Sequence, residues 1–455
     1  MALVTSKELM LDAQKNHYAI GAFNVENMEM VQAVIAAAEE LSSPVIIQTT
    51  PGTLKYADPE LYYANVAAAA KAAKVPVVMH LDHGSSFDLA QRAFQAGYTS
   101  IQINNVSAVK DNSELGKGNW YLNWYYIYQP INTTIGNYIL GSEDEFKEMC
   151  DIAHQYGVRV IVDAVANHFT SEWEVIDPSW QNKDYFHPQA PINDYNNRED
   201  CTQNTLSGLW DLNTENQEVG NRMQGFLKQA VADGVDGFRY DAAKHIELPD
   251  EFGTHSPYFD TILDNGAQYQ YGEVLQGDAG LNVAAYPALF EKYSSNGGGN
   301  TASNYGGALR SSLNSKNLNA GNLNSLQEQG VQDDQLVTWV ESHDTYANGD
   351  RQSTGMTDWQ IRMGWGVIGA RAGGAPLFFN RPVGSGGANA QFAEQSQLGD
   401  AGDNEWKSPE VKWVNKFRNA MEGNAEYLRN CQAENCLMVE RYKSDGSNAN
   451  DGVVV

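Results

Sequence analysis

The sequence lacks long apolar runs and has few basic residues. Only 30 of its 455 residues are Lys or Arg, against 57 Asp or Glu, so the formal net charge at pH 7 is -27. Such a chain repels nucleic-acid phosphates and anionic membranes, so we expect neither as a partner. No run approaches the roughly 20 apolar residues of a membrane span. The start, Met-Ala-Leu-Val-Thr-Ser-Lys-Glu, shows no signal peptide, which as it stands indicates a cytoplasmic protein.

Cysteine is also scarce. The four cysteines, Cys150, Cys201, Cys431 and Cys436, form no Cys-x-x-Cys pair and show no zinc-binding spacing. Cys431 and Cys436 are near enough along the chain to pair, but we expect all four thiols to be free.

Aromatic residues and glycine are, by contrast, frequent. The chain has 10 Trp, 23 Tyr and 41 Gly. Aromatic rings on Asn- and Gly-rich loops are typical of clefts that bind carbohydrate, where flat rings stack on sugar faces. The acidic surplus tolerates a neutral polysaccharide and suits Ca²⁺. The length fits a large α/β barrel with insertions, or two to three domains.

The stretch Gly237-Phe-Arg-Tyr-Asp-Ala-Ala-Lys-His245 has the pattern of a short strand that runs into a loop. Alternation places Phe238 and Tyr240 on one face of the strand and Arg239 and Asp241 on the other. A nearby arginine keeps a carboxylate ionised, and an ionised carboxylate in a pocket can act as a nucleophile. The alternative is a buried Arg–Asp pair with a structural role, and this stretch alone does not decide between the two.

The first hundred residues alternate strands with helices. Strands are predicted at 18–24, 43–50, 75–80 and 98–104, and helices at 28–41, 59–74 and 87–96. This alternation predicts parallel βα units.

Four later strands end in acidic, amide or histidine side chains. These side chains are Asp163 with Asn167 and His168, Arg239 with Asp241, Glu273, and His343 with Asp344. In an α/β barrel the carboxyl ends of the strands meet at one face, where active sites form. We therefore predict one site built from the four strand ends, and we favour the interpretation of Asp241 as a nucleophile.

Two less regular stretches lie among these strands. Asn119–Pro130 is an aromatic loop, either a sugar-stacking surface or a packed hydrophobic loop. Residues 169–212 leave a strand end with weak periodicity, which predicts a small inserted domain. From Ala425 onwards, short strands indicate a β-domain that stops early.

Four ordered motifs resemble the signature regions of the α-amylase family, glycoside hydrolase family 13. They are Asp163-Ala-Val-Ala-Asn-His168, Gly237–His245, Gly272-Glu-Val-Leu275 and Val340-Glu-Ser-His-Asp344. The likeness runs from about Gly97 to the end. It implies a TIM (β/α)8-type barrel with an inserted domain after one strand and a truncated C-terminal β-domain. It also implies retaining endo-hydrolysis of α-1,4-glucosidic bonds in starch or maltooligosaccharides, by proteins that are often secreted.

The resemblance assigns roles to individual residues. Asp241 would be the nucleophile that forms a covalent glycosyl-enzyme, Glu273 the general acid and then base, and Asp344 would hold sugar hydroxyls and help to distort the ring. Retention needs two carboxyls about 5–5.5 Å apart, with the pKa of the acid raised and the nucleophile charged; Arg239 would keep Asp241 charged. The implied substrate-binding residues are Tyr128, Gln129, His168, Arg239, Lys244 and His343.

The same family carries Ca²⁺ at the junction of the barrel and the inserted domain. The implied ligands are the side chains of Asn167 and Asp211 and the carbonyl oxygens of Thr202 and His245. An amide, a carboxylate and carbonyls suit this hard cation. For Asn167 or Asp211 alone, a role in a turn or a helix cap is the alternative.

The first hundred residues resemble a different family, the class II, zinc-dependent fructose- or tagatose-bisphosphate aldolases. The likeness rests on Tyr18–Asn24, Ser43–Ile47 and His80-Leu-Asp-His-Gly-Ser-Ser-Phe87. It implies that Asp82 transfers a proton and that His83 binds zinc. The other zinc-binding histidines of that family lie in His-Gly contexts, which no later histidine here has, and one ligand is not a zinc site. Zinc and aldolase activity are therefore not favoured.

The chain thus reads as a fusion of parts from two barrels. We predict aldolase-like units at 1–97, a catalytic barrel at 98–168 and 213–424, the inserted domain B at 169–212 and an incomplete C-terminal β-domain at 425–455. Three strands from the first part and seven from the second exceed the eight of a barrel. We predict that Val75–His80 takes the place of the missing first strand. The alternative functions are an inactive glucan-binding chimera and a zinc aldolase.

Overall fold

The computed structural model describes residues 13, 15–16, 18–25, 27–49, 59–81, 100–111, 123–326, 329–393, 399–431, 435–443 and 452–454. The chain divides into two compact units, Met1–Arg92 and Ala93–Val455. The helix predicted at 87–96 and the residues Asp82 and His83 lie outside the described residues.

The first unit contains a small parallel sheet. Its elements are β1 (Gly21–Asn24), α1 (Met28–Glu40), β2 (Val45–Thr49), α2 (Pro59–Ala72) and β3 (Val77–Leu81). The three strands pair in the order β1-β2-β3, and aliphatic side chains of β2, β3, both helices and the adjoining residues form one core. This arrangement confirms the prediction of parallel βα units.

The second unit contains many short strands. They are β4 (Ser100–Ile103), β5 (Ser107–Val109), β6 (Pro130–Asn137), β7 (Gly141–Ser142), β8 (Arg159–Ala164), β9 (His168–Phe169), β10 (Trp210–Asp211), β11 (Gly237–Tyr240), β12 (Tyr269–Gly272), β13 (Gly298–Thr301), β14 (Leu336–Trp339), β15 (Ala375–Leu377), β16 (Ala425–Asn430), β17 (Leu437–Tyr442) and β18 (Gly452–Val454). Seven of them, β4, β8, β11, β12, β13, β14 and β15, pair in that order as one parallel sheet.

Helices separate most of the parallel strands. They are α3 (Glu143–Gln155), α4 (Arg198–Gln203), α5 (Gln217–Ala232), α6 (Tyr258–Leu263), α7 (Ala285–Lys292), α8 (Ser303–Asn314), α9 (Ala320–Leu323), α10 (His343–Ala347), α11 (Asp358–Ala370) and α12 (Pro409–Ala420). Alternating parallel strands and helices give the α/β barrel class predicted from the sequence. On β11 the predicted alternation holds as well, because Tyr240 stacks on Phe290 of α7 with ring centroids 5.6 Å apart, whereas Arg239 faces acidic side chains.

The prediction that Val75–His80 supplies the missing first barrel strand is wrong. The strand at this position is β3, which pairs with β2 in register from Val45–Val77 to Thr49–Leu81. Among the described strands, the seven-stranded sheet runs from β4 to β15 without it. Local packing explains the difference, since Val75 and Val77 are buried in the aliphatic core of the first unit.

The strand β13 was not predicted, because its sequence, Gly-Gly-Asn-Thr, resembles a loop. All four of its residues are buried. A Cβ at Gly298 would lie 2.4 Å from the backbone nitrogen of Glu291, and one at Gly299 would lie 2.7 Å from the carbonyl oxygen of Gln335. Glycine is needed there because the backbone of β13 touches its neighbours directly.

Residues 168–211 leave the barrel after β8 and return through a two-stranded antiparallel ribbon of β9 and β10. Behind the ribbon, aromatic rings pack at centroid distances from 4.7 to 5.8 Å. The Lys183 ammonium lies 3.4 Å from the ring centre of Trp173 and 3.6 Å from that of Trp210. The excursion therefore has an aromatic core of its own, and the small inserted domain at 169–212 stays a prediction.

The last described strands, β16, β17 and β18, form an antiparallel sheet. Cys431 and Cys436 form a disulfide with Cα atoms 5.2 Å apart, so the expectation that all four thiols are free is wrong for this pair. The reason is geometric, because Cys431 and Cys436 adjoin the paired residues Asn430 and Leu437, and the backbone N–H of Cys431 donates to the carbonyl oxygen of Cys436 at 3.2 Å. Cys150 and Cys201 are free and buried.

In the part of the chain that the structure describes, the helices are too short or too polar to cross a membrane.

Candidate active site

Arg239 is the centre of the candidate site. It lies on β11, 4% exposed, level with Asp163 on β8 and with Tyr271 on β12. Its Nη1 donates to Oδ2 of Asp163 at 3.0 Å and to Oδ1 of Asp241 at 2.9 Å, and its Nη2 lies 3.1 Å from Oε1 of Glu273. One guanidinium thus brings together three carboxyls from the ends of three neighbouring strands.

Asp163 is held in one orientation by contacts on both of its oxygens. Oδ1 accepts a hydrogen bond from Nε2 of Gln102 at 2.7 Å, and Oδ2 accepts one from the Tyr128 hydroxyl at 2.8 Å. Asn104 donates to the same hydroxyl at 2.9 Å, and the Tyr271 hydroxyl donates to the Gln102 carbonyl. Since Asp163 is only 1% exposed, these contacts replace the water that would otherwise solvate its charge.

Glu273 follows β12 and is held from two sides. Its Oε2 accepts the backbone N–H of Ala242 at 2.9 Å, while Oε1 faces Arg239. Ala242 has a φ of 49°, in the left-handed region that side chains other than glycine rarely adopt. The strained turn directly after Asp241 thus directs a backbone N–H at the second carboxyl.

The charges of the site shift its acids in opposite directions. Burial raises the pKa of Asp241 well above its ordinary value, and the charge of Glu273 adds to the rise more than Arg239 offsets it. Burial would also raise the pKa of Glu273, but Arg239 and the N–H of Ala242 bring it below its ordinary value. Arg239 thus favours the charged form of Asp241, as expected, but the net direction of each pKa in the free site is opposite to the one expected from retention.

Asp344 and His343 begin α10, just after β14. Nε2 of His343 lies 3.2 Å from Oδ2 of Asp344. Burial raises the pKa of Asp344, His343 offsets part of the rise, and the charge of Glu273 adds to it. The imidazole of His343 stacks on Tyr128 with centroids 4.9 Å apart, and Trp124 approaches it edge-on at 6.1 Å. One face of the Tyr128 ring is therefore covered by His343.

His168 and Gln129 occupy the edge of this arrangement. Nε2 of His168 lies 3.2 Å from the carbonyl oxygen of Tyr128, and burial lowers the pKa of His168 to about 4, so that its imidazole is neutral near pH 7. Oε1 of Gln129 accepts the Thr170 hydroxyl at 3.0 Å. In the aromatic stretch, Tyr126 and Tyr128 are buried, as in a packed hydrophobic loop, whereas Tyr125 is 41% exposed.

Lys244 is held by residues that the sequence did not point to. Its ammonium donates to Asp278 at 2.6 Å and lies 5.5 Å from the ring centre of Tyr195. Arg198 donates to its carbonyl oxygen at 2.5 Å and pairs with Glu251 at 2.6 Å. These contacts fix both the backbone and the side chain of Lys244.

Three of the predicted calcium ligands carry oxygen atoms in a buried setting. Asn167 donates to Oδ1 of Asp211 at 3.0 Å, and His187 lies 2.6 Å from Oδ2 of the same carboxylate. The Thr202 hydroxyl is buried without a hydrogen-bond partner, while the His245 ring contacts a backbone carbonyl at 3.1 Å. The ligand predicted at Thr202 is its carbonyl oxygen and not this hydroxyl, but a carboxylate, an amide oxygen and an unsatisfied hydroxyl nearby fit a hard cation such as Ca²⁺. Over the residues that are described, no three Asp, Glu, His or Cys side chains cluster as a metal site.

Gln102, Asn104, Asp278 and His187 are the polar partners that sequence reasoning missed. Gln102 offered one signal, because it lies two residues before the end of a predicted strand, where an inward amide is unusual in an apolar segment. Asp278 and His187 lie in irregular stretches without periodicity, which gave no signal.

Comparison with known proteins divides the chain in two, at a point later than the boundary between its compact units at Arg92 and Ala93. Residues 4–115 match the model of the family described as fructose-bisphosphate aldolase class-II, and residues 126–276 match the alpha amylase catalytic domain. An α-amylase of Clostridium acetobutylicum is 35% identical over 78% of this chain and 45% of its own length. A fructose-bisphosphate aldolase of Thermus caldophilus is 46% identical over 22% of this chain and 33% of its own length. The chain thus spans less than half of either relative.

The solved structures that resemble this chain share its fold. A variant of α-amylase I from Eisenia fetida, in complex with maltohexaose, superposes with a TM-score of 0.58 over 77% of this chain and 78% of that one, at 20% identity. The barrel predicted from the sequence is therefore the fold of α-amylases. The amino-terminal part of the chain is thus similar to class II fructose-bisphosphate aldolases, and the larger part that follows is similar to α-amylases.

Proposed function

We propose that the chain is a glycoside hydrolase that cleaves α-1,4-glucosidic bonds within starch-like glucans with retention of configuration. The observation that carries this proposal is the contact of the Arg239 guanidinium with Asp241 at 2.9 Å and with Glu273 at 3.1 Å. Retaining enzymes need two neighbouring carboxyls, about 5–5.5 Å apart, one as nucleophile and one as acid and base. The α-amylase relative and the fold support starch or maltooligosaccharides as the substrate.

In the first step the Asp241 carboxylate attacks the anomeric carbon and the bond to the leaving sugar oxygen breaks. Glu273 gives that oxygen its proton, which leaves a glycosyl-enzyme ester. In the second step Glu273 takes a proton from water, water attacks the same carbon, and Asp241 is released. Asp344, coupled to the pair by its charge, holds sugar hydroxyls and favours the distorted ring.

This cycle requires a proton on Glu273 and a charge on Asp241, whereas in the free site burial raises the pKa of Asp241 and Arg239 helps to lower the pKa of Glu273. The glucan therefore has to change the balance as it binds. Moving one proton from Asp241 to Glu273 leaves the total charge beside Arg239 unchanged, and the incoming glycosidic oxygen offers the protonated Glu273 an acceptor. Substrate binding and activation of the nucleophile are thus one event in this proposal.

The remaining polar side chains bind the sugars in this proposal. His168 and His343 both contact Tyr128, and Gln129 follows it in the chain. In this proposal these four residues bind the sugar on the left of the cleaved bond. Lys244, fixed by Asp278, contacts the sugar on the other side of that bond.

Calcium has a structural role in this proposal. Asn167, Thr202, Asp211 and His245 hold the ion and tie residues 168–211 to the barrel, and the unsatisfied hydroxyl of Thr202 supports an ion in this place. Addition of EGTA should lower the melting temperature, because a ligand that binds only the folded state at 100 times its Kd stabilises by about 2.7 kcal/mol. Added Ca²⁺, but not Mg²⁺, should restore it. An unchanged melting temperature in EGTA would remove calcium from the proposal.

The activity is tested with blocked maltooligosaccharides and with the starch–iodine colour. Asp241→Asn should lower turnover by a factor of about 10⁴ or more, because the nucleophile is lost. Asp250→Asn is the matched control, since Asp250 is exposed and contacts only His255 among its recorded partners. If wild type and Asp241→Asn release sugar at the same slow rate, the protein is at most a glucan-binding chimera. Zinc-dependent cleavage of fructose bisphosphate would instead favour the aldolase alternative.

A further inference from the structure

The side chain of Gln102 connects an acidic residue of the site, Asp163, with an aromatic one, Tyr271. It lies on β4 in a segment that matches the aldolase family model, residues 4–115, yet its side chain contacts Asp163 and Tyr271 of the α-amylase-like barrel. We propose that Gln102 is a positioning residue of the hydrolase site, which orients Asp163 and, through it, Arg239.

The orientation of the Gln102 amide follows from its partners. An ionised carboxylate only accepts hydrogen bonds, so the NH₂ group must face Asp163, where Nε2 lies 2.7 Å from Oδ1. The carbonyl oxygen then receives the hydroxyl of Tyr271, which is 2% exposed. Both ends of the amide are therefore committed, and Gln102 cannot rotate without losing a contact.

This contact determines which Asp163 oxygen faces the chemistry. With Oδ1 taken by Gln102, Oδ2 is left for Nη1 of Arg239 at 3.0 Å and for the Tyr128 hydroxyl at 2.8 Å. The same Nη1 reaches Oδ1 of Asp241 at 2.9 Å. A rotation of Asp163 would thus withdraw one side of the support that keeps Arg239 in line with the nucleophile.

The strand register places these groups in neighbouring positions. Asp163 lies level with Arg239, and Arg239 lies level with Tyr271, across β8, β11 and β12. Gln102 lies level with Ile161 on β8, two residues before Asp163. Gln102 therefore contacts Asp163 from the amino-terminal side of the strand ends, away from the reacting carboxyls. In this proposal it does not contact the sugar itself.

The inference rests on the proposed hydrolase function and is tested with Gln102→Met, which keeps the length of the side chain and removes both hydrogen bonds. A hydrogen bond to a charged group contributes about 1.5–3 kcal/mol, so kcat should fall roughly 10- to 100-fold while KM changes little. Looser support of Arg239 should also move the acid limb of the pH–rate profile to higher pH, because Arg239 opposes the protonation of Asp241.

Two further variants separate positioning from packing. Gln268→Met is the matched control, because Gln268 also donates to an aspartate, Asp236 at 3.0 Å, at the other end of the barrel strands. It should leave kcat and the pH profile unchanged. Tyr271→Phe removes the hydrogen bond to the side-chain carbonyl of Gln102 but leaves the hydrogen bond from Gln102 to Asp163. This variant should therefore shift the acid limb of the pH–rate profile in the same direction as Gln102→Met, by a smaller amount. Equal profiles for Gln102→Met, Gln268→Met and wild type would overturn the proposal.

A crystal structure of Gln102→Met gives a readout that does not need activity. We expect the Asp163 carboxylate to rotate and its contact with Arg239 to lengthen. If wild type releases no sugar but this rotation occurs, the proposed function fails and the positioning role stands. If the contacts of Asp163 and Arg239 stay as they are, the positioning role fails, whatever the activity of the wild type.

Discussion

The two units of this chain use buried strands in different ways. In the first unit, the buried side chains of the strands that contribute to the core are aliphatic, as at Val45, Ile47 and Val77. In the second unit, Asp163 and Arg239 are as deeply buried, at 1% and 4% exposed. Burial of apolar area stabilises the first unit. In the second unit, keeping these charges away from water costs desolvation free energy.

This difference bears on which unit can hold a candidate site. An aliphatic core tolerates a change of partner because its contacts are not directional. A network of buried charges does not, since each member needs a partner at hydrogen-bond distance and direction. The described part of the first unit thus contributes packing, and the second contributes the site.

The strongest way to break this comparison is to remove the guanidinium at its centre. Arg239→Met leaves three buried carboxyls without a cation, so we expect kcat to fall about 10³-fold or more and the free energy of unfolding to fall by about 5 kcal/mol. Arg239→Lys keeps the charge but loses the fork that reaches Asp163, Asp241 and Glu273 together.

Arg239→Lys should therefore fold better than Arg239→Met and remain almost as inactive. Thermal melts and turnover of blocked maltooligosaccharides measure the two effects separately. If Arg239→Lys hydrolyses at the wild-type rate, the directional argument fails.

The sequence was sufficient for elements in which local pattern and packing agree. The βα rhythm of the first hundred residues predicted β1 to β4, and the alternation around Arg239 predicted which of its neighbours face the acids. The glycine strand β13 was missed because the requirement for glycine comes from backbone neighbours, at Glu291 and Gln335, that are close only after folding.

The pKa values of the acidic residues were harder to predict from the sequence than the identity of the residues in the candidate site. The motifs pointed to Asp241 and Glu273, but not to the fact that one guanidinium serves both. How strongly Arg239 lowers the pKa of each carboxyl depends on burial and on differences in distance of a few tenths of an ångström. No spacing in the sequence encodes either quantity. For the same reason Gln102, distant along the chain, could not be connected to Asp163.

A second buried pair tests whether charges of the second unit are always costly to disturb. Arg381 donates to both oxygens of Glu341, at 2.7 and 2.9 Å, and both residues are at most 2% exposed. Glu341→Gln should lower the free energy of unfolding by about 3 kcal/mol, because it leaves a buried charge without its counter-charge. Urea titration measures this loss.

The matched control is Glu440→Gln, which breaks the exposed pair of Arg429 and Glu440. It should cost less than about 1 kcal/mol. Equal losses in the two variants would show that burial does not set the cost.

Asp241, the proposed nucleophile, should be a source of instability. Burial and the charge of Glu273 raise the pKa of Asp241, so the folded state holds its proton at a pH where the unfolded state has lost it. Stability then falls as pH rises from the unfolded pKa of Asp241 through its folded pKa. Asp241→Asn, which is neutral throughout, should melt at a higher temperature than wild type at pH 7, and the difference should vanish in acid. A lower melting temperature at pH 7 would show that Arg239 outweighs burial.

The smallest effect is expected in the aliphatic core. Ile47, fully buried on β2, can lose one methyl group in Ile47→Val at a cost of about 1 kcal/mol. Because its contacts are not directional and its core lies within the first unit, kcat for glucan hydrolysis should stay at the wild-type value. The equivalent change in the second unit is Ile368→Val on α11, 1% exposed, with a similar cost. If Ile47→Val lowers kcat more than Ile368→Val does, the first unit contributes to the site as well as to packing, and the comparison between the two units fails.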